Sequence, residues 1–358
     1  MIRMNRIVKS VVRILVLGAV CAIAAGCGGK NTQTEEKAMQ ALERGEYDRA
    51  VSLFDEAVEE GKDLQYVYRG KGIAHMGMMQ YKEAADAFQS ALDSESWIDR
   101  YRYGNDLVQD ISRYLAVCYV RMAEYDKAVE LYDMLIEEQG EDAALLTDRG
   151  AAKAGAGRIE EAKKDFDKAI NMDRTNYERI LMIAQVLEQN GAPEIGRAYL
   201  QGVPELDDRQ IDPVLKGRIL YFLGDYKGAE DLLSKASDTD EEAVLIRCKA
   251  LLAMGDTNGA LTVLESFGSS IDTSPSLLGL FGSIKMEQGK YEEALDAFTR
   301  GAQAAEGTQE QQALLFDQIV VKEKMGDFAG ARELLTAYLE RFPGDQEAAR
   351  EMKFLETR

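Results

Sequence analysis

The feature that most constrains this chain is a phrase that keeps returning. GEYDRAVSLFDEA occupies residues 45–57, and MQYKEAADAFQSA, AEYDKAVELYDML, GDYKGAEDLLSKA and GKYEEALDAFTRG restate it further on. Aligned on one turn position, the phrase falls at Tyr47, Tyr81, Tyr125, Ile159, Pro193, Tyr226, Thr257, Tyr291 and Phe328, with spacings of 34, 44, 34, 34, 33, 31, 34 and 37 residues. A unit of that size cannot bury its apolar face alone, so the repeat predicts copies stacked on one another.

Within each unit the spacing is helical. Three residues after the turn position stand Ala50, Ala84, Ala128, Ala162, Gly196, Ala229, Ala260, Ala294 and Ala331. Ala and Gly make up 75 of the 358 residues, so chance would place about two small residues in those nine positions. Four residues further along stand Phe54, Phe88, Tyr132, Phe166, Leu200, Leu233, Leu264, Phe298 and Leu335, which complete an i, i+4 apolar stripe. A small residue there lets two helices approach closely, and the stripe reads as core. Gly45, Gly157, Gly191, Gly224, Gly255, Gly289 and Gly326 precede the turns and predict left-handed helix stops. Ala, Leu, Glu, Lys and Met are plentiful, and no Val/Ile-rich run alternates with period two beyond the first 25 residues.

The period near 34, with helix-turn-helix content, resembles the tetratricopeptide repeat family from about residue 31 to 344. The resemblance implies an all-α helix-turn-helix solenoid of about nine repeats. Gly72, Gly150, Gly217 and Gly282 match the family's small position on the first helix, where Cys248 and Ile319 are larger. After the repeats, residues 345–358 predict a capping helix in which Asp345 caps and Ala348, Met352 and Leu355 face the last repeat. The solenoid is expected to occupy residues 34–344.

The amino terminus reads as a processing signal. Arg3, Arg6, Lys9 and Arg13 precede the apolar run ILVLGAVCAIAA, which is short for a stable bilayer span. Ala24, Ala25 and Gly26 before Cys27 resemble the lipobox of bacterial lipoproteins, although Ala24 stands where that pattern usually has Leu. The resemblance implies removal of residues 1–26, lipidation of Cys27, a tether over 27–33, and a membrane-anchored chain facing the extracytoplasmic side. Two acyl chains on one cysteine would anchor stably. Glu35 reads as completing a capping box with Thr32, which sets the first repeat close to the bilayer.

Processing would leave 39 Lys+Arg against 63 Asp+Glu, a net charge of −24. That balance argues against nucleic acid as a partner. Cys118 and Cys248 fall in apolar helical stretches and read as small buried hydrophobes.

Catalytic chemistry finds little support. His75 is the single histidine and lies in a helix of the second repeat, and no HExxH, CxxC or GxSxG occurs. The run GAAKAGAGRIEEA follows a helix rather than a strand, so Gly155 and Gly157 read as a repeat turn. SDTDEE, around Asp238 and Asp240, lacks the Gly and terminal Glu of a calcium loop. The chain is expected to be no enzyme, with no cofactor or metal.

The family binds extended peptides or partner helices along the face of its first helices, so that face is the expected site. Its positions here are Arg69 and Met76, Arg113 and Arg121, Gln185 and Gln189, Arg218 and Phe222, Lys249, then Phe316 and Lys324. Six of these are basic, which suits a protein or extended peptide bearing carboxylates. The Lys and Asn set of the family's carboxylate clamp is not reproduced. The same cations can equally balance carboxylates of adjacent repeats. A second candidate is the ten-residue excess between Tyr81 and Tyr125, which holds Trp97, Tyr101 and Tyr103, residue types enriched in interface hot spots; packing on the adjacent repeat is the other reading. A membrane-tethered adaptor is the leading function, and a glycan- or small-molecule-binding lipoprotein the alternative.

Overall fold

A computed structural model describes residues 33–61, 63–94, 106–206, 210–235, 240–306, 308–342 and 345–357. Among them the chain is all-α, with nineteen α-helices and no strand. Contacts divide it into two units, residues 1–202 and 203–358.

Unit 1 holds five helix pairs: α1 (Gln33–Glu43) with α2 (Tyr47–Glu60), α3 (Leu64–Gly77) with α4 (Tyr81–Asp93), α5 (Asp106–Arg121) with α6 (Tyr125–Gln139), α7 (Ala143–Gly155) with α8 (Ile159–Met172), and α9 (Tyr177–Gln189) with α10 (Pro193–Leu200). Unit 2 opens on a 3-10 turn at Val203–Glu205. It continues with α11 (Pro213–Leu223) and α12 (Tyr226–Leu233), α13 (Glu241–Ala253) and α14 (Thr257–Ser266), α15 (Pro275–Glu287) and α16 (Tyr291–Ala304), α17 (Gln309–Lys324) and α18 (Phe328–Arg341), and ends with α19 (Gln346–Leu355). All nine aligned turn residues open the second helix of a pair.

The stripe explains the pairing. Each small residue, from Ala50 to Ala331, is buried, and so is each large partner from Phe54 to Leu335. The large side chain fills the space above the small position of its own first helix. A Cβ added to Gly72 would lie 2.5 Å from the Phe88 ring, one on Gly150 2.5 Å from Phe166, and one on Gly282 2.7 Å from Phe298. Gly196 is the least replaceable, because its Cβ would meet the Ala184 carbonyl oxygen at 2.7 Å, and a backbone cannot rotate away. Where Cys248 and Ile319 enlarge the first-helix position, the partner is Leu264 or Leu335 instead of a ring, which conserves volume.

Turns between the paired helices reverse the chain through one left-handed residue. Gly157 (φ +78°) and Gly255 (φ +82°) take it without a Cβ penalty, but Met79 and Ala123, both at φ +59°, hold the same place in pairs 2 and 3. At the far end, the Asp345 carboxylate accepts from the backbone N–H groups of Glu347 and Ala348, while Ala348 and Leu355 are buried. That helix covers apolar surface the last pair would otherwise expose.

First helices of neighbouring pairs pack directly on one another, α1 on α3, α3 on α5 and α7 on α9 in unit 1, and α11 on α13 and α15 on α17 in unit 2. The first-helix candidates, from Arg69 to Lys324, lie on these helices within each unit.

Candidate functional site

In unit 1, one repeat position is apolar and part-exposed in four successive first helices: Met39, Ile73, Val117 and Ala151. On α5 this position lies in an i, i+4, i+8 stripe, Arg113–Val117–Arg121, so two cations flank the apolar group. Arg113 is 43% exposed, donates to Gln139 Oε1 at 2.9 Å and lies 3.8 Å from Asp142. Arg121 is part-buried with its guanidinium 5.9 Å from the centroid of the Tyr81 ring.

Arg69 differs from both. Its side chain is buried, donates to Asp110 Oδ2 at 2.5 Å and lies 5.6 Å from the Tyr114 ring centroid, which ties α3 to α5. Removing one partner of such a pair would leave the other charge without compensation, so this arginine holds two repeats together. Met76 is buried in the core, whereas Gln185 is part-exposed and Gln189 exposed.

Sequence reasoning passed over Asp148 on α7. It sits eleven residues before the turn residue, a position that Gly70, Tyr114, Met182, Leu215, Ile246 and Leu280 fill in six other pairs and that the acids Glu36 and Asp317 fill in the first and last. Burial pushes its carboxyl up to about 7, with Arg113 pulling it down, Asp142 pushing it up and Arg179 pulling it down. Nη1 of Arg179, on α9, is buried without a hydrogen-bond partner.

In unit 2, Arg218 forms an ion pair with Glu242, Nε to Oε1 at 3.1 Å. Lys249 is part-buried, and burial lowers its ammonium pKa against the opposing pull of Glu310 and Glu242, with Arg218 adding to the fall. Phe222 is part-exposed and Lys324 exposed, while Phe316 is buried edge-on against Tyr338 with ring centroids 5.6 Å apart. The basic positions therefore divide: Arg69 and Arg218 bridge repeats, and Arg113 and Lys324 reach solvent.

The remaining candidates have structural places. His75 Nδ1 is hydrogen-bonded to Gln80 Oε1 at 2.7 Å. Gly155 packs under the Tyr125 ring, and Asp240 caps α13 by accepting from the Ala243 N–H. Cys118 and Cys248 are free and buried, and burial pushes both thiols up to about 12. No cluster of metal-ligating residues and no helix long and apolar enough to cross a membrane occurs among the described residues. Cys27, Thr32, Trp97, Tyr101 and Tyr103 lie outside the described residues.

Comparison with known proteins follows the same geometry. The tetratricopeptide repeat matches residues 36–94, 69–144 and 280–345 in one form and 143–176 in another, more than half of the chain. The chain belongs to the tetratricopeptide repeat family. Its fold is that of a protein-interaction scaffold. BBSome complex member BBS4 of Bos taurus is similar to it, 23% identical over 147 residues, which is 41% of this chain and 26% of that protein. The Hsp70-Hsp90 organising protein of Plasmodium falciparum is 28% identical over 140 residues, 37% of this chain and 23% of its own length. The chain spans about a quarter of the length of these two relatives. Among solved structures, yeast Tom70 matches with a TM-score of 0.52 and 13% identity, covering 90% of this chain and 80% of the other, a likeness of fold.

Proposed function

We propose that this protein is a lipid-anchored, extracytoplasmic scaffold of the bacterial cell envelope that holds an extended, carboxylate-bearing segment of a partner protein along the first-helix face of unit 1. The observation that carries the reading is the α5 stripe, in which the half-exposed Arg113 guanidinium and Arg121 flank part-exposed Val117. A guanidinium can grip a carboxylate with two parallel bonds, and apolar neighbours add desolvation. The net charge of the chain does not oppose this, because exposed charges beyond about 8 Å are largely screened at physiological salt. Membership of an interaction-scaffold family, and likeness to a protein named for organising two others, support a binding role without catalysis.

The anchor rests on Ala24-Ala25-Gly26-Cys27 behind a basic, apolar leader. Expressed in bacteria, the full chain should incorporate labelled palmitate and Cys27→Ser should not; equal labelling of both would remove the anchor from the reading. For binding, a fluorescein-labelled Glu-rich peptide titrated into the full chain should bind, and Arg113→Glu should weaken it at least about ten-fold. Unchanged affinity in that variant would move the site away from α5.

A further inference from the structure

The guanidinium of Arg113 already has company within its own chain. It meets the connector that runs from the end of α6 to the start of α7, Gln139 to Asp142. Gln139 Oε1 accepts from Arg113 Nη2 at 2.9 Å. Asp142 Oδ2 lies 3.8 Å from the same Nη2, near enough for charge to act and too far for a hydrogen bond. Both contacts therefore fall on one nitrogen.

That nitrogen is the one a carboxylate needs most. A guanidinium grips a carboxylate with two parallel bonds through Nε and Nη2 or through Nη1 and Nη2, so Nη2 belongs to both edges. The next first helix shows the grip fully formed: Arg149 of α7 offers Nε and Nη2 to the two oxygens of Asp165 at 2.9 and 2.6 Å. The connector holds its own place without Arg113. Asp142 Oδ1 caps α7 by accepting from the Ala144 and Leu145 N–H groups at 2.7 and 3.0 Å, which leaves Oδ2 to face the guanidinium. Gly140 turns the chain at φ +87°, and Glu141 pairs with Lys168 of α8.

We propose that Gln139 and Asp142 are a built-in competitor for the partner and set which acidic segments this face accepts. The inference rests on the reading that Arg113 grips the partner's carboxylate. A partner gains the two-bond grip only when Gln139 releases Nη2, and it does so against the charge of Asp142. A segment with a single carboxylate is left with one bond through Nε or Nη1 and is held weakly. Segments with several carboxylates have further attraction to offset the displacement, so the competitor favours them over singly acidic ones.

Removing a competitor should tighten binding, which damage to the fold would not do. The fluorescein-labelled Glu-rich peptide is titrated into the full chain and its variants. Asp142→Asn keeps a side-chain oxygen for the α7 cap and loses the charge, and with Gln139→Ala added the affinity should rise at least about five-fold. Glu141→Gln removes a charge from the same connector but leaves Nη2 occupied, so its affinity should stay within about two-fold of the parent. Without peptide, NMR should show the Arg113 Nη1 and Nη2 signals apart in the parent, because the Gln139 bond slows their exchange, and merged in the double variant. No gain in the double variant, an equal gain in Glu141→Gln, or merged signals in the parent overturns the competitor. A peptide that binds neither the parent nor any variant overturns the binding reading and the competitor with it, whereas binding without the gain overturns the competitor alone.

Discussion

Pairs 1–4 and pairs 5–7 solve the same packing problem by different means. In the first group the second helices run 14, 13, 15 and 14 residues and the large interlocking side chain is a ring: Phe54, Phe88, Tyr132 and Phe166. In the second group they run 8, 8 and 10 residues, and the interlock is Leu200, Leu233 and Leu264. The long helices continue past the ring to bury a further residue, Ala57, Ala91, Leu135 or Ala169. The helices α10 and α12 end on the interlocking leucine itself.

The helix starts differ accordingly. None of α2, α4, α6 and α8 has a side chain capping its first turn. In contrast, Asp225 caps α12 through the Gly228 N–H, Asp256 caps α14 through Gly259, and α10 begins on Pro193, which has no N–H to leave open. Four unpaired N–H groups are half the donors of an eight-residue helix and under a third of those in a fourteen-residue one. Short second helices are thus stabilised at their ends, and long ones by burial. The α18 helix, 14 residues long and capped by Asp327, shows that the two devices can coexist.

The largest effect should come from emptying an interlock. Phe166→Ala should cost about 3–5 kcal/mol in urea unfolding, and Leu264→Ala about 2 kcal/mol, the low end for a buried leucine. Equal losses would break the comparison between ring and leucine.

Filling the small position should come next. Gly150→Ala meets the flat Phe166 ring at 2.5 Å and should lose about 1–3 kcal/mol, because a ring packed on all sides cannot retreat. In Gly217→Ala the obstruction is the flexible Leu233 side chain at 2.7 Å, so the gain in helix propensity of about 1 kcal/mol should offset most of the strain. Hydrogen exchange would locate the first loss in α7 and α8. A Gly217→Ala protein as destabilised as Gly150→Ala would contradict the argument.

Caps should matter only where helices are short. Asp256→Ala should cost about 1 kcal/mol, and Glu124→Ala, at the equivalent place before α6 without a capping bond, less than about 0.5 kcal/mol. The smallest change should be a gain: Ala123→Gly relieves a left-handed alanine and should stabilise by up to about 1 kcal/mol, as a small rise in melting temperature would report.

Much of this could be read before any coordinates. The nine turn residues, the small and large stripe and the seven left-handed glycines depend on local spacing, and each lies where the period placed it. The shortening of α10, α12 and α14 was not read, although Asp-x-x-Gly at 225–228 and 256–259 marks two of their starts. A Cβ on Gly228 or Gly259 would meet the capping carboxylate at 2.3 Å, so the pattern has a steric reason. The site was less legible. Arg69 and Asp110 are 41 residues apart across the one long spacing, and nothing local says that they pair. Asp148 stands where Glu36 and Asp317 stand in other pairs, so nothing local singles it out.

The central claim is that a partner's acidic segment is held on the first-helix face of unit 1. Hydrogen exchange of the full chain at pH 6, with and without the Glu-rich peptide, tests it most directly. The account predicts slowed exchange in α3, α5 and α7, lost in Arg113→Glu. Protection confined to the second helices, or protection that survives Arg113→Glu, would contradict it.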